Sequence, residues 1–182
     1  MGLRNRYLFK EEKCFFVTTT CVHWLNLIDY SNSYQILEES LNFVSNKYKA
    51  LIFAYVIMPN HIHVIVYFKE VNRLSDFMRD FKKFTSTMIR KRIDQFNLTR
   101  LLSKLRTNKN GRSFQVWKDR FDDVYLTNKH ILEQKIDYIN FNPLQSKWSL
   151  VKRPEDYKYS SAQFYELGIQ SNCKVSDYRN YF

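Results

Sequence analysis

Two apolar runs, residues 50–58 and His61 to Phe68, are separated only by Pro59-Asn60, and this constrains the fold more than any other feature of the chain. Each run reads as a strand, and the proline–asparagine pair supplies a turn signal between them. The pair therefore predicts a β-hairpin. A hairpin is at best marginally stable by itself, so the rest of the chain has to provide partners.

Residues 14–22 (Cys-Phe-Phe-Val-Thr-Thr-Thr-Cys-Val) are β-branched and aromatic and predict a strand ahead of the hairpin. Between them, Ser31-Asn32-Ser33 offers N-caps to a helix whose apolar face is Leu37, Leu41, Val44 and Tyr48. After the hairpin, Phe77, Phe81, Phe84 and Met88 recur at helical spacing among Arg79, Lys82, Lys83, Arg90, Lys91 and Arg92. That is an amphipathic helix with a basic outer surface. A polar, basic stretch follows from about Asn97 to Arg112, readable as partly helical or as mobile. Short strand candidates lie at Phe114 to Trp117 and at Val124 to Leu126. Thr127 or Asn128 can cap a third helix, which should stop near Asn142 because Pro143 disfavours helical geometry in the residue before it.

The first six elements follow the β-α-β-β-α-β order of split, ferredoxin-like α+β folds. The expected sheet is mainly antiparallel, with helices on one face and the other face free for a site. Residues 1–182 read as a single domain, with a core at about 10–145 and an irregular, tyrosine-rich tail with short helices at about 146–182.

Composition narrows the partners. The chain is 45% hydrophobic with 15 Phe and 13 Tyr, which argues against disorder. Its net charge of +11 is that of a domain that meets a polyanion, nucleic acid being the commonest. No apolar run approaches the roughly 20 residues that span a bilayer, so a membrane partner is not expected. Three cysteines without metal-site spacing fit buried thiols in a reducing compartment. Cys14 and Cys21, seven apart, should point to opposite faces of a regular strand. The N-terminus has no apolar signal segment, so a cytoplasmic location is expected.

In the third strand His61 and His63 emerge on one face while Ile62, Val64 and Val66 point to the other. Two neighbouring imidazoles are what capture of a divalent ion requires. His-x-His alone is a weak signal, more often two surface or core histidines than a metal site. His23 and His130 have no comparable partner in sequence and read as structural. On the third helix the core face is Leu132, Ile136 and Ile139. Tyr138 is about 200° around from Ile136 and leaves that face, sharing a stripe with Gln134 and Asn142. On spacing alone Tyr138 reads as a packed aromatic, as most of the 13 tyrosines must be.

The run Met58-Pro59-Asn60-His61-Ile62-His63-Val64-Ile65 resembles the His-hydrophobic-His motif of the single-tyrosine HUH transposases. Lys135-Ile136-Asp137-Tyr138-Ile139-Asn140-Phe141-Asn142-Pro143 resembles the tyrosine helix of their REP-associated branch, with its Tyr-Ile-x-x-Asn-Pro pattern. Trp117-Lys118-Asp119-Arg120-Phe121 and Pro154-Glu155-Asp156-Tyr157-Lys158-Tyr159-Ser160-Ser161 are similar to further segments of that branch, in the same order. The similarity covers about residues 4 to 165. Asn140 departs from it, standing where many relatives have histidine. Leu144-Gln145-Ser146-Lys147 replaces a more basic run, and 97–112 resembles an insertion.

The resemblance implies a metal-dependent nickase and strand transferase acting on single-stranded or hairpin DNA. Its metal, Mg²⁺ or Mn²⁺, would be held by His61, His63 and Asn142, and its nucleophile would be Tyr138. The products would be a free 3′-hydroxyl and a 5′-phosphotyrosine link. Relatives include both dimers and monomers, so both states stay open. Basic residues should handle the strand: Lys82 and Lys83 on the second helix, and a short arm of Arg4, Arg6 and Tyr7. Arg120 and Trp117 would combine phosphate contact with base stacking. Two further functions remain compatible with the sequence. One is an HUH enzyme of replication initiation or plasmid relaxation, although the chain has no P-loop motif. The other is a basic nucleic-acid-binding protein without catalysis.

Overall fold

The computed structural model describes residues 13–181 apart from Asn72, so Arg4, Arg6 and Tyr7 lie outside the described residues. Strands β1 (Cys14–Thr20), β2 (Ala50–Ile57), β3 (His61–Phe68) and β4 (Asp122–Tyr125) form one sheet in the order β2-β3-β1-β4. Every neighbouring pair is antiparallel. The helices are α1 (Leu27–Tyr30), α2 (Tyr34–Lys47), α3 (Leu74–Gln95), α4 (Thr99–Leu105), α5 (Lys129–Phe141) and α6 (Ala162–Leu167). This is the expected split α+β arrangement, in which β3 lies between β2 and β1. The hairpin turn is closed by Met58 N–H donating to the His61 carbonyl at 2.8 Å.

Strand alternation sorts the apolar residues into two cores. Ile62, Val64, Val66 and Phe68 of β3 join Leu37 and Leu41 of α2 and Phe77 and Phe81 of α3 on one face. Ile65 points the other way and joins Phe16, Leu132, Ile136 and Ile139, so α5 lies on the second face. A register shift between Ile52 and Ala54 puts the consecutive residues Phe53 and Ala54 into that same second core. Cys14 belongs to the second core and Cys21 to the first, as their spacing predicts, and both are free buried thiols.

Several local expectations shift. The last strand is Asp122–Tyr125, while Phe114 and Trp117 make only single bridges, to Arg106 and Cys21. That segment is laid along the end of β1 by Val22 N–H to the Val116 carbonyl and Lys118 N–H to the Thr20 carbonyl. On α3 the buried stripe runs Phe77, Phe81, Thr85, Ile89 and Ile93. Steps of four turn it steadily round the helix, and the three-residue step to Phe84 falls off it, leaving Phe84 exposed. Ser33 occupies the N-cap position of α2 without a side-chain cap bond, and Ser31 Oγ instead donates to the Leu27 carbonyl at 2.6 Å. The stretch after α3 contains α4, whose Leu105 is buried.

The segment beyond α5 is built into the fold. Ile57 N–H donates to the Tyr159 carbonyl, Ser161 N–H to the Tyr55 carbonyl and Ser176 N–H to the Ile52 carbonyl, which pairs the outer edge of β2. Tyr157 and Tyr178 enter the second core, and Ala162, Cys173 and Val175 are also buried. Among the described residues no helix is long and apolar enough to cross a membrane.

Candidate metal and nucleophile site

His61 and His63 open β3 on the face that carries α5, with ring centroids 4.8 Å apart. Both are 5% exposed. The Nδ1–H of His61 donates to Oδ1 of Asn60 at 2.7 Å, and Asn60 is held in turn by Nδ2 donating to the Trp24 carbonyl at 2.9 Å. Because Asn60 Oδ1 can only accept, the lone pair of His61 is left on Nε2. Nδ1 of His63 shares a hydrogen bond with Thr18 Oγ1 at 2.7 Å, and its Nε2 is buried without a partner. A hydrogen bond at one ring nitrogen orients the other toward a ligand. Burial, aided by Lys147, pushes His61 down to about 4. Burial, then His61, Lys147 and Lys135, pushes His63 well below the usual histidine range. Both imidazoles are therefore neutral at ordinary pH, the form that coordinates metals.

Helix α5 starts at Asn128, whose Oδ1 accepts from Ile131 N–H at 3.0 Å. Of the two predicted caps, Asn128 is the one used. Leu132, Ile136 and Ile139 anchor the helix on the sheet. This rotates Tyr138 to the rim of the site, 41% exposed, with its ring centroid 5.2 Å from His63 and 5.9 Å from Phe16. Asn142, one turn later, takes the C-cap position and is 1% exposed. Its Oδ1 has no hydrogen-bond partner. Gln134 does not join the group; it is exposed and bonded to His130 at 3.0 Å.

Two buried acceptors without partners are unusual and costly in a folded protein. One is a ring nitrogen of His63, and the other is the amide oxygen of Asn142, one helical turn after the tyrosine whose ring meets His63. Such a donor set could hold a divalent cation. Among the described residues no three His, Cys, Asp or Glu side chains gather for the purpose.

The residues expected to grip DNA are not all brought here. Lys82 and Lys83 line a basic cleft of about 420 Å³ with Arg79 and Arg112, between α3 and the 112–121 segment. This cleft is on the α3 side of the sheet, away from Tyr138. Lys82 Nζ donates to the Lys118 and Asp119 carbonyls at 2.8 and 3.0 Å, and burial pushes its ammonium down to about 8. Lys83 and Arg120 are exposed. Trp117 is a correction. It is 3% exposed, and its Nε1–H donates to Thr85 Oγ1 at 3.0 Å. Its ring is core, with no face open to a base. His23 and His130, expected to be structural, are both exposed.

A family model for IS200-like transposases matches residues 26–140. The chain belongs to the IS200-like transposase family. The matched region of this transposase contains the hairpin, both histidines and Tyr138, and ends two residues before Asn142. No curated protein matches the transposase chain with significance. A REP-associated tyrosine transposase, solved bound to a REP hairpin, is similar in fold at a TM-score of 0.62 and 21% identity, covering 91% of this chain and 87% of that one. A candidate transposase from Deinococcus radiodurans R1 aligns at a TM-score of 0.40 and 14% identity, covering 70% of this chain and 88% of that one.

Three residues around the candidate site carry no signal of their own in the sequence, and a fourth carries a weak one. Thr18 reaches His63 only through the pairing of β1 with β3, which sets the two residues opposite each other. Phe16 stacks on His63 at 5.3 Å through the same pairing. Trp148 approaches His61 at 5.7 Å from the segment after α5. Asn60 stands inside the histidine motif, where an amide next to His61 is the available clue.

Proposed function

We propose that this transposase cuts and rejoins single-stranded DNA at hairpin or palindromic repeats, with Tyr138 as nucleophile and His61, His63 and Asn142 holding Mg²⁺ or Mn²⁺. The observation that carries the proposal is the pair of unpartnered buried acceptors, His63 Nε2 and Asn142 Oδ1, beside the half-exposed phenol of Tyr138. An ion bound there would draw charge from the non-bridging oxygens of a phosphodiester.

The chain's own groups account for the rest. Leu132, Ile136 and Ile139 fix the helix, so the Tyr138 hydroxyl is presented at the rim of the histidine face rather than swinging freely. Its oxygen attacks phosphorus, forming the Tyr138–O–P bond and breaking P–O3′. The phenolic proton passes to solvent, and the departing 3′-oxygen takes up a proton. An incoming 3′-hydroxyl reverses the step, restoring the phenol and a phosphodiester. The covalent link conserves the bond energy, so no nucleotide triphosphate is consumed. We take residues 1–182 as one such catalytic domain.

Two facts support DNA of this kind as the substrate. The chain carries +11 formal charges, and the structural neighbour was solved with a REP hairpin. The test is covalent trapping on denaturing gels with labelled single-stranded hairpin DNA from around the gene, in Mn²⁺ or EDTA. A shifted protein–DNA band that needs the metal, Tyr138 and His61 is the expected result, with Tyr138→Phe and His61→Ala as the variants. DNA binding with no adduct on any hairpin would leave a non-catalytic binding protein.

A further inference from the structure

Each histidine of the pair rests against an aromatic ring, and each of those rings carries a lysine. Phe16 stacks on His63, and Lys135 Nζ stands 4.9 Å from the Phe16 centroid and 5.7 Å from that of Tyr138. Trp148 lies against His61, and Lys147 Nζ stands 5.6 Å from the Trp148 centroid. The lysines come from different segments, α5 and the turn that follows it, yet they flank one site.

Neither lysine forms an ion pair among the described residues. Lys129 on the same helix, by contrast, lies 3.9 Å from Glu133. An aromatic face steadies an ammonium weakly while leaving its donors unused. Two such cations flank the histidine pair and make that rim positive. The ligand that fits is an anion with several oxygens, and for a chain of this family that is backbone phosphate.

We propose that Lys135 and Lys147 form a two-point phosphate seat, Lys135 on the Tyr138 side of the histidine pair and Lys147 on the Trp148 side. The seat would hold phosphates of the single strand in line with the pair. It rests on the reading of Tyr138 and the histidines as the DNA-processing site, but phosphate binding itself needs no turnover.

The test uses the full chain carrying Tyr138→Phe, in EDTA, with a labelled single-stranded oligonucleotide of mixed sequence. Binding is followed by fluorescence anisotropy over a salt series. Lys135→Gln and Lys147→Gln should each make the dependence of log affinity on log salt shallower by about 0.7, and the double variant by about 1.4. Arginine at either position should restore the slope. Lys69→Gln, at the far end of β3 from His61, should leave it unchanged. Lys147 is exposed, so its variant keeps the fold even if Lys135→Gln lowers the thermal midpoint. A double variant with the parent slope overturns the seat, as does a parent protein that fails to bind the oligonucleotide. The catalytic reading fails separately: shallower slopes, with no adduct formed by the Tyr138 protein in Mn²⁺, would leave the seat standing and remove the nuclease.

Discussion

Thr18 Oγ1 lies 2.7 Å from Nδ1 of His63, across the strand pair that sets the two residues directly opposite each other. The bond fixes one ring nitrogen of His63 and leaves Nε2 buried without a partner. Thr18→Val keeps the shape and removes the bond. Mn²⁺ affinity measured by calorimetry should fall by about 10- to 100-fold. DNA binding in EDTA should be unaffected, and an unchanged Mn²⁺ affinity would deny the hydroxyl any orienting role.

Asn142 predicts a trade between stability and function. Its Oδ1 is buried without a partner, which costs the metal-free fold about 1–3 kcal/mol. Asn142→Leu removes that acceptor at similar volume. Denaturant unfolding in EDTA should show a protein at least as stable as the parent. The stabilisation that Mn²⁺ gives the parent should vanish in the variant.

The histidines make stability depend on pH in a definite direction. His61 titrates near 6.5 when unfolded and about 4 when folded, and His63 shifts the same way. Between those values the unfolded chain binds protons that the folded chain refuses. Their contribution is therefore complete above pH 6.5 and is lost as the pH falls toward 4. In EDTA, the parent should lose stability across this window more steeply than His61→Gln, by up to about 1.4 kcal/mol per pH unit. Parallel profiles would mean that His61 stays hydrated in the folded protein.

Trp117 offers a choice between packing and stacking. Trp117→Phe breaks the bond to Thr85 and leaves space, so unfolding free energy should drop by about 1–3 kcal/mol. Affinity for single-stranded DNA should hold. Lost affinity at unchanged stability would put the indole on a base instead.

The hairpin, the two histidines on one strand face and the extent of α5 were legible because each is written in local pattern: alternation, a proline–asparagine turn, an asparagine cap and Pro143. The orientation of His63 was not, since Thr18 lies 45 residues away and matters only once β1 and β3 are in register. Trp117 was misread for a related reason. An aromatic among charged residues looks like a contact surface until the loop is laid on β1 and Thr85 is found beneath it. The tail was the least legible part. Asn140 Oδ1 accepts from Ser161 Oγ at 3.0 Å, tying α5 to a segment whose burial depends on single side chains rather than on any repeat.

The backbone bonds that residues 159–161 and 176 make along β2 also bear on how the chain must be made. Until those residues emerge, the strand from Ala50 to Ile57 presents an apolar, unpaired edge, which is a template for other nascent copies. A polypeptide ending before Tyr159 would keep its histidines and its tyrosine and still be expected to precipitate. The late segment thus works as a built-in guard against self-association during synthesis.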